Sequence, residues 1–342
     1  MRIGSINTDT KVLIIAEIGN NHEGDFDLAQ KLISEAAKLG VDAVKFQTFR
    51  AADFGNPADP DRMERLRSME LDANQFSALA KQARGAGLLF ISTPLDMGSV
   101  ETLSPLVDAF KVASGDLTFH PLLQSIAEKE KPVLLSTGLA TLNEIRASIT
   151  VMRDAASNTS TELHCGILHC ISAYPAPANA VNLALIRVLY GALGETIGYS
   201  DHSVEMSTTP LAVAAGARII EKHFTIDKNY SDFRDHQLSA DPEEMKQIVS
   251  DIRATETMLG SPEKFVQDCE QQGRVDYRRS ISAACNLSAG AQITNQDLTW
   301  LRPATGIAPG NEQTVIGRRV SRNIQRGAAI TENDLKNINR VK

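Results

Sequence analysis

Short apolar, β-branched runs recur along the first three-quarters of the chain, separated by longer amphipathic stretches. They predict strands at Val12–Gly19, Ala43–Phe49, Leu89–Pro94 and Phe110–Ser114. Four more are expected at Pro132–Thr137, Gly166–Cys170, Thr196–Asp201 and Ile219–Phe224. Runs of this length with helical segments between them indicate βα units and a parallel sheet. The first intervening segment, Asp27–Leu39, puts Leu28, Leu32, Ile33 and Ala36 on one face, with Gly40 following as a stop. Eight such units closing on themselves make a TIM (β/α)8 barrel, an α/β fold. A doubly wound open sheet competes, but it rarely uses eight units so evenly spaced.

The pattern changes after Pro262. Residues 263–278 are polar and charged, as in a linker. Beyond them NLSAGAQITNQDL (Asn286–Leu298) returns as NIQRGAAITENDL (Asn323–Leu335). Each copy reads as strand, tight glycine turn, short strand and acidic helix start. Two copies are too few for a solenoid, so a small pseudo-symmetric β-rich domain is expected over 279–342, after a barrel domain over 1–262.

Composition adds exclusions. A formal net charge of −7 argues against nucleic acid, which needs a basic face. Any anionic substrate must be held by a few local lysines and arginines. No apolar run approaches the length that spans a bilayer, and the N-terminus lacks a signal-peptide pattern. The four cysteines form neither a CxxC pair nor a disulfide framework, so a cytoplasmic protein with reduced thiols is expected.

Most of the apolar runs finish in polar groups: Glu17, Lys45 with Gln47, Ser92, Ser114, Ser136, Ser172, Ser200 through His202, then Lys222 and His223. In a TIM barrel the active site lies at the C-terminal strand ends. Any single serine there could serve a local turn; agreement along all eight strands points to a site. His202 and His223 end adjacent strands, close enough for two imidazoles to share a divalent ion and leave positions open for a substrate carbonyl. Alone, the pair could equally be satisfied hydrogen-bonders, since metal sites usually show a third protein ligand. Lys45, Lys111 and Lys222 lie within strands, where lysine is costly unless it reaches a polar mouth or pairs with a carboxylate such as Glu17 or Glu221. Ser114, Ser136 and Ser200 would add donors to an anion held by Lys45 and Lys111. Glu17, Asp116 and Asp235 are candidate proton acceptors or sugar-hydroxyl anchors. His22 and His236 are loop residues that could assist.

The segments IAEIGNNHEGD, AVKFQTF, FISTP, FKVASGDL, KPVLLSTG, LHCISAYPAP, IGYSDHS and IEKHFT resemble those of sialic acid synthases, with their legionaminic, pseudaminic and spore-coat relatives. The resemblance spans nearly the whole chain, and the part after Arg279 resembles the family's antifreeze-like (SAF) domain. It implies condensation of phosphoenolpyruvate with an open-chain aminosugar of the N-acetylmannosamine type, giving a sialic-type acid and phosphate. It also implies a divalent metal, manganese with magnesium or cobalt as alternatives, on His202 and His223. Phosphoenolpyruvate would meet Lys45, Lys111, Ser114, Ser136, Ser172 and Ser200, with Arg302 reaching across a domain-swapped homodimer. The sugar would meet Glu17, Gln47, Asp116, Tyr174 and Asp235, and Glu17, as proton acceptor or as anchor of a sugar hydroxyl, would join the two histidines in catalysis. Three departures stand out. Ser172 replaces the asparagine of bacterial sialic acid synthases, Lys222 replaces the arginine common before the last metal histidine, and the Arg50–Glu70 segment is shorter than in bacterial N-acetylneuraminate synthases. A 6-deoxy diacetamido hexose, the legionaminic or pseudaminic type of substrate, is the alternative within the class. A non-catalytic sugar- or pyruvate-binding protein is the alternative outside it.

Overall fold

In a computed structural model of the chain, residues 1–157, 159–160 and 162–336 are described. The chain divides into two compact units between Gly260 and Ser261.

The first unit is a closed barrel of eight parallel strands, each paired with its sequence neighbour and the last with the first. They are β1 (Leu13–Gly19), β2 (Ala43–Thr48), β3 (Leu89–Pro94), β4 (Ala109–Val112), β5 (Val133–Ser136), β6 (Cys165–Cys170), β7 (Thr196–Asp201) and β8 (Ile219–His223). The expected strands are all present, with ends differing by up to two residues. The helix expected at Asp27–Leu39 runs Phe26–Ala37, and Asp25 caps it by accepting from the amides of Asp27 and Leu28. No helix among the described residues is long and apolar enough to cross a membrane.

Strand side chains alternate between two faces, and each face has its own core. Ile14, Ala16, Val44, Phe46, Phe90, Phe110, Leu135, Ile167 and Ile220 point outward under the helices. Leu13, Ile15, Ala43, Ile91, Ala109, Leu134, Leu168 and Ile219 fill the interior together with Ile3. Ile3 belongs to a short N-terminal hairpin, Arg2–Ile3 paired with Ile6–Asn7, that adds to this plug. Gly198 on β7 must lack a side chain, because a Cβ would lie 2.6 Å from the carbonyl oxygen of Ile219.

The second unit pairs β9 (Ser280–Ala283) with β10 (Leu298–Leu301) in an antiparallel ladder over a core that includes Ile281, Leu287, Ile293, Val320, Ile324 and Ile330. The two sequence copies are related by a pseudo-twofold. Equivalent residues Leu287 and Ile324 exchange both main-chain hydrogen bonds, at 2.8 and 2.9 Å. Asn286 Oδ1 accepts the amide of Arg326, and Asn323 Oδ1 accepts that of Ala289, both at 2.8 Å. The copies depart from the expected strand–turn–strand: their arms form isolated bridges only, because their partners lie in the other copy and beyond. The acidic helix starts are single 3-10 turns, Asn295–Asp297 and Glu332–Asp334, each closed by a Thr–Asp capping box. The polar segment before β9 carries a 3-10 turn at Asp268–Glu270 and a helix at Gln271–Asp276. Residues 337–342 lie outside those described.

Candidate functional site

Toward the C-terminal strand ends the barrel interior changes from apolar to polar within one layer. The next inward position on each strand holds, in order, Glu17, Lys45, Thr93, Lys111, Ser136, Cys170, Ser200 and Glu221. All are buried. Charges and hydroxyls in so dry a ring must satisfy one another or a ligand.

They do so in part. Lys45 Nζ lies 2.9 Å from Glu17 Oε1 and 3.7 Å from Glu221 Oε2, and donates to Thr93 Oγ1 at 3.3 Å. Ser200 Oγ donates to Glu221 Oε1 at 2.8 Å. Lys111 Nζ donates to the carbonyl of Val112 at 2.9 Å and, among the described residues, has no carboxylate within ion-pair distance. Glu17 Oε2 and Glu221 Oε2 are buried without a hydrogen-bond partner. Burial pushes Glu17 up to about 7, against the pull of Lys45 and with the push of Glu221. Burial would also raise Glu221, but Lys45, Lys111 and the Ser200 hydroxyl outweigh it and hold the carboxyl at about 2. Lys111 is lowered by burial. One lysine is thus committed to carboxylates and a second is short of negative charge.

Near Lys111, Ser114, Gly138, Cys170 and Ser172 pack closely against one another. Ser114 Oγ accepts the amide of Gly138 at 3.0 Å and sits 3.1 Å from Cys170 Sγ. A Cβ on Gly138 would fall 2.2 Å from Ser172 Oγ and 2.9 Å from Ser114 Oγ. Only glycine leaves room for these two hydroxyls. Ser136 is buried at the end of β5.

Above the ring stand the histidines, with ring centroids 5.6 Å apart. The Nδ1 of His202 lies 2.7 Å from the carbonyl of Ile171, which makes Nδ1 the donor and leaves the lone pair on Nε2. His223 has no hydrogen-bond partner among the described residues, and its Nδ1 is buried. Burial lowers both, His223 further because His202 adjoins it, so both are neutral at neutral pH. Tyr174 covers them, its ring 4.3 Å from His202 and 6.2 Å from His223. Arg234 lies 5.0 Å from the Tyr174 ring centroid and pairs with Asp235 at 3.2 Å, which ties Asp235 to this wall. Gln47 Nε2 donates to Glu17 Oε1 at 3.4 Å, and Asn20 donates to Gln47 Oε1 at 3.0 Å. Asp116 follows in the 3-10 turn after β4; its carboxyl is raised by burial and opposed by Lys111.

Residues 32–264 match the NeuB family, and residues 278–336 match the SAF domain. The chain belongs to the NeuB family. Its fold is the TIM barrel with a C-terminal SAF domain. Over 331 residues this NeuB-family chain is 40% identical to the N,N'-diacetyllegionaminic acid synthase of Legionella pneumophila, covering 93% of this chain and 92% of that one. It is 30% identical to the human N-acetylneuraminate-9-phosphate synthase over 334 residues, 93% of this chain and 91% of that one. The solved N-acetylneuraminic acid synthetase of Leptospira borgpetersenii, in complex with citrate, superposes with a TM-score of 0.74 at 32% identity, covering 80% of this chain and 94% of that one.

Within the NeuB-family barrel most of the expected residues converge. Arg302 lies in the second unit, exposed, after β10. Two strand-end residues are redirected. Ser92 faces outward and bonds Thr48 Oγ1 at 2.7 Å and the carbonyl of Phe46 at 3.1 Å. Lys222 also faces outward and pairs with Asp201 at 2.8 Å, so it contributes no charge to the interior. His22 and His236 leave the cluster too: His22 Nδ1 accepts the amide of Gly24, and His236 bridges Thr225 and Glu23. Glu221 was expected only as a carboxylate partner of the strand lysines, and Thr93, Cys170, Arg234 and the Gly138 amide were not expected. Spacing of two from His223 was a signal for Glu221, and from Lys45's neighbour Ile91 for Thr93. The Gly138 amide has no such signal, because a loop sets its direction.

Proposed function

We propose that the chain condenses phosphoenolpyruvate with the open-chain form of an N-acetylated aminosugar of the N-acetylmannosamine type, yielding a nonulosonic acid and phosphate. The observation that carries this reading is a dry ring with one lysine uncommitted, joined to a serine cluster and roofed by two neutral histidines. Phosphoenolpyruvate carries about three negative charges, so clustered cations and donors are a chemical requirement for holding it. The chain's own net charge of −7 supplies no such attraction, which leaves the task to local groups.

In this reading Lys45 and Lys111 meet the phosphate and carboxylate, and Ser114, Ser136, Ser172 and Ser200 orient them. The histidine pair fits a divalent ion: His202 presents Nε2, and His223 has no protein partner to compete. Such an ion, manganese first and magnesium or cobalt as alternatives, would act as a Lewis acid toward the sugar's aldehyde oxygen. C3 of phosphoenolpyruvate uses the C2=C3 π pair to form the new bond to the aldehyde carbon, whose C=O π pair moves to its oxygen. Water then adds at the electron-poor C2 and gives one proton to Glu17 through the unpartnered Oε2; the C2–O bond to phosphorus breaks with its pair leaving on phosphate, and the remaining hydroxyl proton passes to the new alkoxide as the C2 ketone forms. Gln47, Asp116, Tyr174 and Asp235 bind the sugar and keep bulk water out. Arg302 is assigned, on the resemblance, to the site of a second copy in a domain-swapped homodimer.

A second sugar is favoured by one comparison. Identity to the legionaminic acid synthase of Legionella pneumophila is 40%, against 30% to the human enzyme, which supports a 6-deoxy diacetamido hexose. A binding protein without turnover would have no need of the retained lysines and histidines.

Phosphate release from phosphoenolpyruvate tests all of this, with manganese present, N-acetylmannosamine and the two 6-deoxy diacetamido hexoses supplied in parallel, and EDTA as control. Release with one sugar that EDTA abolishes is the expected result. Silence with all three would remove these sugars and return weight to binding without turnover.

A further inference from the structure

The pairing between β7 and β8 ends at the rung that joins Asp201 to Lys222. His202 and His223 each occupy the next position on their strands. That rung is the β7–β8 contact next to both rings, and it is closed on the outside of the barrel by an ion pair.

Its construction is unusually complete. Lys222 and Asp201 are both buried, and Nζ lies 2.8 Å from Oδ2. Asp201 Oδ1 accepts from Tyr199 at 3.2 Å, from the Ser203 amide at 2.9 Å and from Ser203 Oγ at 2.7 Å. Lys222 Nζ also donates to the carbonyl of Ser203. The amide and carbonyl of Ser203 are thus tied on one side of His202 while Asp201 is tied on the other. The His223 ring makes no hydrogen bond among the described residues, so its placement comes from its backbone, held by the Glu17 rung and the Ala240 amide on one side and by the Lys222 anchor on the β7 side.

We propose that the outward Lys222–Asp201 pair is a positioning element that fixes the spacing of His202 and His223 and thereby the affinity of that pair for a divalent ion. The inference rests on the assignment of an ion to the two histidines. It extends that assignment to two residues that touch neither substrate nor ion. An ammonium on a flexible stem can reach both Asp201 and the Ser203 carbonyl, and a guanidinium can satisfy the same two acceptors.

The test is Mn2+ titration of the substrate-free protein followed by electron paramagnetic resonance, with far-UV circular dichroism on every variant. Lys222→Met should weaken Mn2+ by about tenfold to a hundredfold while the dichroism is kept, and Lys222→Arg should restore tight binding. Should Lys222→Met not fold, the double variant Lys222→Met with Asp201→Leu leaves no unpaired buried charge and is expected to fold with the same loss. Wild-type Mn2+ affinity in either folded variant would overturn the proposal. Mn2+ binding unchanged in His223→Ala would instead overturn the ion assignment, and the positioning role with it.

Discussion

Glu17 and Glu221 flank one ammonium, that of Lys45, at 2.9 and 3.7 Å, yet they are driven in opposite directions: Glu17 up to about 7 and Glu221 down to about 2. The asymmetry has a simple origin. Glu221 has a second lysine and a serine hydroxyl beside it, whereas Glu17 is buried with Lys45 as its main support. Removing the shared cation should therefore hurt both. Lys45→Met is expected to lower unfolding free energy by about 3–5 kcal/mol, read from urea denaturation. Adding Glu17→Gln should recover part of that stability and none of the turnover.

Gly138→Ala should separate binding from folding. The added methyl would displace the Ser172 and Ser114 hydroxyls, 2.2 and 2.9 Å from the Cβ position, and press on Cys170 Sγ at 3.1 Å. The expected outcome is a loss in kcat/KM for phosphoenolpyruvate of about a hundredfold with an unchanged melting profile. Steady-state kinetics beside a thermal scan checks both halves, and an unchanged KM would remove the serine cluster from the binding site.

The histidine pair predicts a different signature. His223→Ala should abolish metal-dependent phosphate release and leave the circular dichroism spectrum intact; retained turnover would sink the ion assignment. Arg302→Ala should raise KM for phosphoenolpyruvate without unfolding either unit, and an unchanged KM would argue against the swapped dimer.

His22 gives a pH dependence away from the proposed ion ligands. Burial holds it near 4, below its ordinary 6.5. The unfolded chain therefore takes up a proton first as pH falls. The contribution of His22 to stability is fully present above 6.5 and is lost as pH drops through 4, amounting to as much as about 3 kcal/mol. Denaturation midpoints from pH 7 to 4 should fall less steeply in His22→Gln. Parallel curves for the two proteins would contradict a neutral buried imidazole.

The strands could be read from sequence because β-branched apolar runs of four to eight residues have few other uses. Their polar ends were visible as well, but not the face on which each residue lies. Counting in twos from Ile219 and Ile91 puts Glu221 and Thr93 inside and Lys222 and Ser92 outside, so the rule existed and the strand-end pattern alone omitted it. The serine cluster was less accessible, since the direction of the Gly138 amide depends on Ser114 in the turn after β4 and Cys170 at the end of β6. In the second unit the repeat was plain, but its pairing was not. Local pattern suggested that each copy would fold onto itself, whereas the hydrogen bonds run to the other copy.

That exchange bears on how the second unit is made. A nascent chain that has emerged only as far as Leu298 carries one copy whose asparagine and glycine turn still await partners about thirty to forty residues downstream. A chain broken between the copies would leave two fragments, each missing the half that completes it.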